Sequence, residues 1–244
     1  MCDDDYLLPD EPPRNDSEEL AYEDEKSSMS RRMLLRGALA AGGVATIGAA
    51  QLWRPDAALA AVTRPKIYTT DEWGAAPPKQ AIDVVNRKPI KIIIHHTATA
   101  NSSDFTVGHA FSLARGIQQA HFNRGWRDSG QQFTISRGGH ILTGRHRSRT
   151  VLIGGEKHVI GAHCTGQNDV AVGIENEGTY TNVQIRDYHY KRLVRMCAFI
   201  CQKYGIDPAR IRAHREFVAT QCPGDRLFAR MPKLRDDVRA RLAA

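Results

Sequence analysis

Three side chains suited to holding a transition metal stand out by position. His95 closes the β-branched run Lys91-Ile92-Ile93-Ile94-His95, where a side chain projects from the end of a buried strand toward a site rather than into a core. His214 follows the short apolar segment Ile211-Arg212-Ala213 in the same way, and Cys222 comes eight residues later in Thr220-Gln221-Cys222-Pro223-Gly224. Two imidazoles and one thiolate suit zinc and leave a tetrahedral ion an open fourth position. The spacing alone leaves a second reading open, in which Cys222 pairs in a disulfide with one of the chain's four other cysteines.

The elements that must position these residues follow from periodicity. The run at 91–95 predicts a strand buried on both faces. Apolar positions at Phe105, Phe111, Ile117 and Phe122 predict a helix from Ser103 to about Asn123, ended by Gly125. Gln132–Ser136 and His140–Leu142, joined through Arg137-Gly138-Gly139, predict a hairpin whose glycine pair supplies positive φ. Val170–Glu175 predicts another strand. Ile185–Tyr204 predicts a helix carrying Leu193, Met196 and Ile200 on one face and stopped by Gly205. A last helix is expected from about Asp225 to Leu242. Strands alternating with helices imply an α/β class, a single domain with a central mixed β-sheet flanked by helices.

The 244 residues carry 41% hydrophobic and 25% charged side chains, which excludes a wholly disordered, collagenous or multi-span membrane protein. The net charge of +7 conceals an asymmetry: residues 1–29 hold eleven Asp/Glu against Arg14 and Lys26, whereas from Ala61 onward 28 Lys/Arg face 15 Asp/Glu. Residues 1–29 are expected to be an acidic, disordered leader. Residues 30–60 read as an export signal, with adjacent Arg31 and Arg32, an uncharged Ala/Gly-rich run from Gly37 to Trp53, and the small-x-small site Ala58-Leu59-Ala60. Cleavage there and retention as an anchor both remain open. Residues 61–244 form the basic body, whose charge favours a polyanionic partner; no nucleic-acid-binding module accompanies it, so none is expected to bind.

Several segments carry a specific resemblance. Glu72-Trp73-Gly74-Ala75, Ile93-Ile94-His95-His96-Thr97-Ala98, Arg124-Gly125-Trp126-Arg127-Asp128, Gly161-Ala162-His163, Val172-Gly173-Ile174-Glu175, and Ala213-His214 through Cys222-Pro223-Gly224-Asp225 resemble, in order, the peptidoglycan recognition protein and type 2 N-acetylmuramoyl-L-alanine amidase family. The resemblance spans nearly all of residues 66–232. It implies a Zn2+ hydrolase that cuts the amide between N-acetylmuramic acid and L-alanine, or a non-catalytic peptidoglycan receptor of the same fold. Carried over by position, the metal ligands are His95, His214 and Cys222, with His96 packing or hydrogen-bonding outside them. Receptor members typically lose the cysteine, so Cys222 favours the enzyme. Thr97, Trp126, Gln131 and His163 are implied to contact substrate. A secreted or wall-associated monomer is expected, acting on peptidoglycan and drawn to anionic wall polymers.

Two departures from the family bear on catalysis. In Gly130-Gln131-Gln132-Phe133, Gln131 stands where many members have tyrosine, and an amide cannot act as a base. Glu175 falls where the recycling amidases of the superfamily carry a catalytic glutamate, and its carboxylate could take a proton from the attacking water. Thr220, two residues before Cys222, could hydrogen-bond a developing oxyanion. Cys197 and Cys201 share a helix face, and export to an oxidising space leads us to expect one bridge from Cys164 to one of them.

Overall fold

In the computed structural model residues 62–244 are described; the leader at 1–29 and the export segment at 30–60 lie outside them. The sheet is built around β3 (Lys91–His96), whose isoleucines fill both of its faces. Ile92 and Ile94 join the main core, while Ile93 packs with Cys164 and Ala171 on the opposite side. β7 (Ala171–Asn176) and β8 (Ile211–Ala213) flank β3, both parallel to it. Further out come β4 (Phe133–Ile135), β5 (Ile141–Thr143) and β1 (Ile67–Tyr68), giving the order β1-β5-β4-β7-β3-β8. Only β4 and β5 pair antiparallel, so the sheet is mixed as expected. A separate antiparallel pair joins β2 (Val84–Val85) to β6 (His158–Val159). Two-residue strands carry too little periodicity to be seen in the sequence.

Helix α1 (Val107–Asn123) starts later than expected, because the Thr106 hydroxyl accepts from the His109 N–H and so caps it there. α2 (Ser148–Gly154) was not foreseen. α3 (Asp187–Tyr204) buries Leu193, Met196, Cys197, Ile200, Cys201 and Tyr204 against the core face of the sheet. The single helix expected at the C-terminus is two, α4 (Asp225–Ala229) and α5 (Met231–Ala243), divided at Arg230. Pro232 explains the break: it has no N–H to donate and its ring conflicts with the carbonyl four residues back. In the β4–β5 turn only Gly139 has positive φ, at 75°. Gly138 is needed for room instead, since a Cβ there would lie 2.1 Å from the Phe105 carbonyl oxygen.

The expected bridge from Cys164 does not form. All four cysteines of the described residues are free, and the sheet stands between the candidates: Cys164 packs beside Ile93 on one face, Cys197 and Cys201 lie in the core on the other. Among the described residues no helix is long and apolar enough to cross a membrane.

Candidate metal centre

Strand register assembles the site. In β3 and β7, Ile93 pairs with Gly173 and His95 with Glu175; in β8, Ala213 pairs with Ile94, so His214 follows at the same end of the sheet. Three neighbouring parallel strands therefore deliver His95, Glu175 and His214 at their carboxyl ends, where open α/β sheets place ligands. Cys222 returns to this point on the loop after β8. Its carbonyl accepts from the Arg215 N–H, and its sulfur accepts from the His96 N–H at 3.4 Å.

The ligating atoms of His95, His214 and Cys222 all lie within 4.8 Å of one another. His95 Nδ1 is 3.7 Å from Cys222 Sγ. Tetrahedral zinc with ordinary Zn–N and Zn–S bonds holds nitrogen and sulfur about 3.6 Å apart, so the observed pair is already at coordination spacing. Electrostatics agree with a cation site. Burial, then the neighbouring His163 and His214, hold His95 well below the usual imidazole range, and burial lowers His214 as well. Burial pushes the Cys222 thiol up to about 12, with the Glu175 carboxylate adding to the rise and the His96 N–H opposing it. Three neutral donors gathered in one buried place lack the charge that would ionise the thiol, and a bound dication supplies it. The residues present fit zinc.

The remaining expected residues fall in three groups. Glu175 is half-buried beside His95, and burial raises its carboxyl to about 7 against the pull of Arg124. Thr97 and Trp126 are partly exposed. The Thr97 hydroxyl accepts from the Gly178 N–H at 2.9 Å, and the Trp126 ring stacks on His121 with centroids 4.5 Å apart beneath the Arg124 guanidinium. Thr220 is exposed, and its hydroxyl accepts from the Cys222 N–H at 3.2 Å. Gln131 and His163 are buried. Gln131 Nε2 donates to the Thr134 hydroxyl at 2.8 Å, Thr134 being the β4 register partner of Glu175, while Gln131 Oε1 has no hydrogen-bond partner among the described residues. His163 Nδ1 lies 3.0 Å from His95 Nε2, and burial pushes its pKa down to about 3. His96 accepts from the Tyr180 N–H through Nδ1 and stays outside the metal group.

Sequence reasoning missed the support beneath His95. Asn176, fully buried at the end of β7, donates through Nδ2 to the His95 carbonyl at 3.0 Å, and its Oδ1 lies 3.0 Å from His189 Nε2 on α3. The available signals were an amide directly after Glu175 at a strand end and a histidine on an apolar helix face. Arg124, which follows α1 as its C-cap and whose charge favours the ionised Glu175 carboxyl, carried no signal beyond that charge.

Comparisons with known proteins bear on this geometry. The family model described as N-acetylmuramoyl-L-alanine amidase matches residues 85–225. Peptidoglycan-recognition protein LB of Drosophila melanogaster is 32% identical over 170 residues, 69% of this chain and 68% of that protein. The human N-acetylmuramoyl-L-alanine amidase is 30% identical over 171 residues, which is 67% of this chain but 27% of the human protein. The solved structure of the Drosophila protein LB aligns with a TM-score of 0.59 at 31% identity, covering 68% of this chain and 92% of that one; a variant of it was solved in complex with tracheal cytotoxin. The endolysin amidase of Clostridium intestinale, at 24% identity and a TM-score of 0.56, shows likeness of fold.

Proposed function

Since the chain belongs to the family of type 2 N-acetylmuramoyl-L-alanine amidases and peptidoglycan recognition proteins, we propose that it hydrolyses the amide between N-acetylmuramic acid and L-alanine in bacterial peptidoglycan, with zinc held by His95, His214 and Cys222. The observation that carries this reading is the complete donor triad gathered within 4.8 Å, its His95–Cys222 pair at coordination spacing, with a carboxylate beside it. Zinc there supplies Lewis acidity toward the scissile carbonyl. Glu175, as general base, takes a proton from the attacking water and returns it to the departing amine of L-alanine, so that one water yields a lactyl carboxylate and a free stem peptide. The Thr220 hydroxyl accepts from Cys222 and still has its own hydrogen to offer an oxyanion. Thr97 and Trp126 offer partly exposed polar and stacking surface to the substrate.

A non-catalytic receptor is the second reading, favoured by Gln131, which cannot replace the proton chemistry of a phenol. We also propose that residues 30–60 route the chain out of the cytoplasm and that the basic body draws it to anionic wall polymers. Mass spectrometry of purified peptidoglycan incubated with the zinc-loaded protein separates the two readings. Stem peptides with a free L-alanine amino terminus, absent when a chelator is added, support the amidase. Sedimentation with intact wall and no cleavage supports the receptor.

A further inference from the structure

His163 has the burial of a core residue and the contacts of something else. Its ring lies between two glycines: a Cβ on Gly161 would come 2.6 Å from its Cδ2, and one on Gly173 would lie 2.6 Å from both Cδ2 and Cγ. Real Cβ atoms essentially never come so close; at Gly173 the ring alone occupies the space, and at Gly161 it shares it with Gln132 Nε2, 2.9 Å from the same Cβ position. Its backbone is pinned as well, because Asn168 Oδ1 accepts from the N–H groups of both His163 and Cys164 at 2.8 and 2.9 Å. The ring nitrogens then have one partner each. Nε2 faces the Ala171 carbonyl oxygen at 3.2 Å, and Nδ1 faces His95 Nε2 at 3.0 Å.

The chain of hydrogen bonds has one direction. A backbone carbonyl only accepts, so His163 Nε2 must carry the hydrogen. A second hydrogen on Nδ1 would make His163 a buried cation, at 9% exposure, with none of its ring contacts to a carboxylate. His163 Nδ1 is therefore a lone pair, and the hydrogen between the rings belongs to His95 Nε2. That leaves the lone pair of His95 on Nδ1, the atom 3.7 Å from Cys222 Sγ.

We infer that His163 is a positioning residue: by accepting the Nε2–H of His95 it fixes the one tautomer and ring orientation in which His95 offers Nδ1 to the metal. The backbone of β7, through the Ala171 carbonyl, is thereby what selects the ligating atom. This rests on the zinc-amidase reading and adds to it a role for a residue expected to touch substrate.

Zinc affinity measured with a competing chelator tests it, on the parent protein, His163→Leu and His163→Gln, together with the ¹⁵N histidine spectrum of the zinc-loaded parent. His163→Leu is expected to lose about 10–100-fold in zinc affinity, as replacement of such outer partners typically does. His163→Gln is expected to recover most of it, since an amide offers a carbonyl to His95 and an N–H to Ala171. The parent spectrum is expected to show His95 protonated at Nε2 and metal-shifted at Nδ1. An Nε2-metallated His95 overturns the inference, as does a His163→Leu protein that binds zinc like the parent and shows only a raised KM. If His163→Leu fails to fold, the parent spectrum and His163→Gln still decide. A parent protein that binds no zinc overturns the amidase reading and this inference with it.

Discussion

Replacing Glu175 by glutamine keeps the side chain's size and removes its basicity, so it isolates proton transfer from packing. Glu175 is the β7 partner of His95 in register, and burial places its carboxyl near 7. Only the ionised form is a base, so the rate should be present above that pKa and fall as pH drops through it. Well below the carboxyl's pKa each pH unit removes about nine tenths of the ionised form, which predicts a rate falling about tenfold per unit there and levelling off above the pKa. A bound dication pulls the carboxyl down, moving this acid limb lower without removing it. Glu175→Gln should abolish the limb and cost about 10²–10⁴-fold in rate, the usual worth of a placed general base. Zinc content should stay at the parent's level, because Glu175 is no ligand. The assay is release of L-alanine-terminated stem peptides from purified peptidoglycan by zinc-loaded protein, with Gln131→Ala alongside. A Glu175→Gln enzyme within a few-fold of the parent, or one keeping the same acid limb, refutes the assignment. A larger loss at Gln131 would transfer the orienting role to the amide that now donates to Thr134.

Three further outcomes follow. His121 and His189 are buried, and burial lowers them to about 4 and about 3. Unfolded imidazoles take up protons below about 6.5, so this stability is complete above that pH and lost as pH falls toward 4; at pH 5.5 each contributes about 1.4 kcal/mol less, so with the other buried histidines adding to it the loss should be at least about 3 kcal/mol, which urea titrations at pH 7.5 and 5.5 will register or contradict. Gly173→Ala sets a Cβ against the His163 ring and should destabilise the fold by about 1–3 kcal/mol while weakening zinc binding, read from thermal melts and chelator competition; an unchanged protein would mean the ring has room. Replacing Arg31 and Arg32 with lysine keeps the charge and should block export in a secretion assay, and unchanged export would sink that routing.

What could be read in advance was whatever lies in one stretch of chain. The Ile92-Ile93-Ile94 run announced the central strand, and positions at strand ends announced His95 and His214 before any register was known. Pairings across the sheet could not be read in this way. Export to an oxidising space suggested a bridge from Cys164 to Cys197 or Cys201, yet the sheet divides them, because the face a residue occupies depends on strand order. His163 was visible as a motif residue only. Its partners are set by β7 running beside β3, which brings up Gly173 and the Ala171 carbonyl; Gly161 stands two residues away in the same motif, but nothing local shows that its missing side chain makes room for the ring. The two-part C-terminal helix was legible in Pro232, whose effect the apolar spacing masked.

The central claim, that one zinc held by His95, His214 and Cys222 makes this chain a hydrolase of the muramoyl–alanine amide, is tested most directly by adding zinc stepwise to metal-stripped protein and following the cleavage rate. The account predicts no activity without metal, a linear rise, and a break at about one zinc per chain, with Cys222→Ser needing far more zinc and never reaching the parent rate. Full activity in the stripped protein, or a Cys222→Ser titration that overlays the parent's, would contradict it.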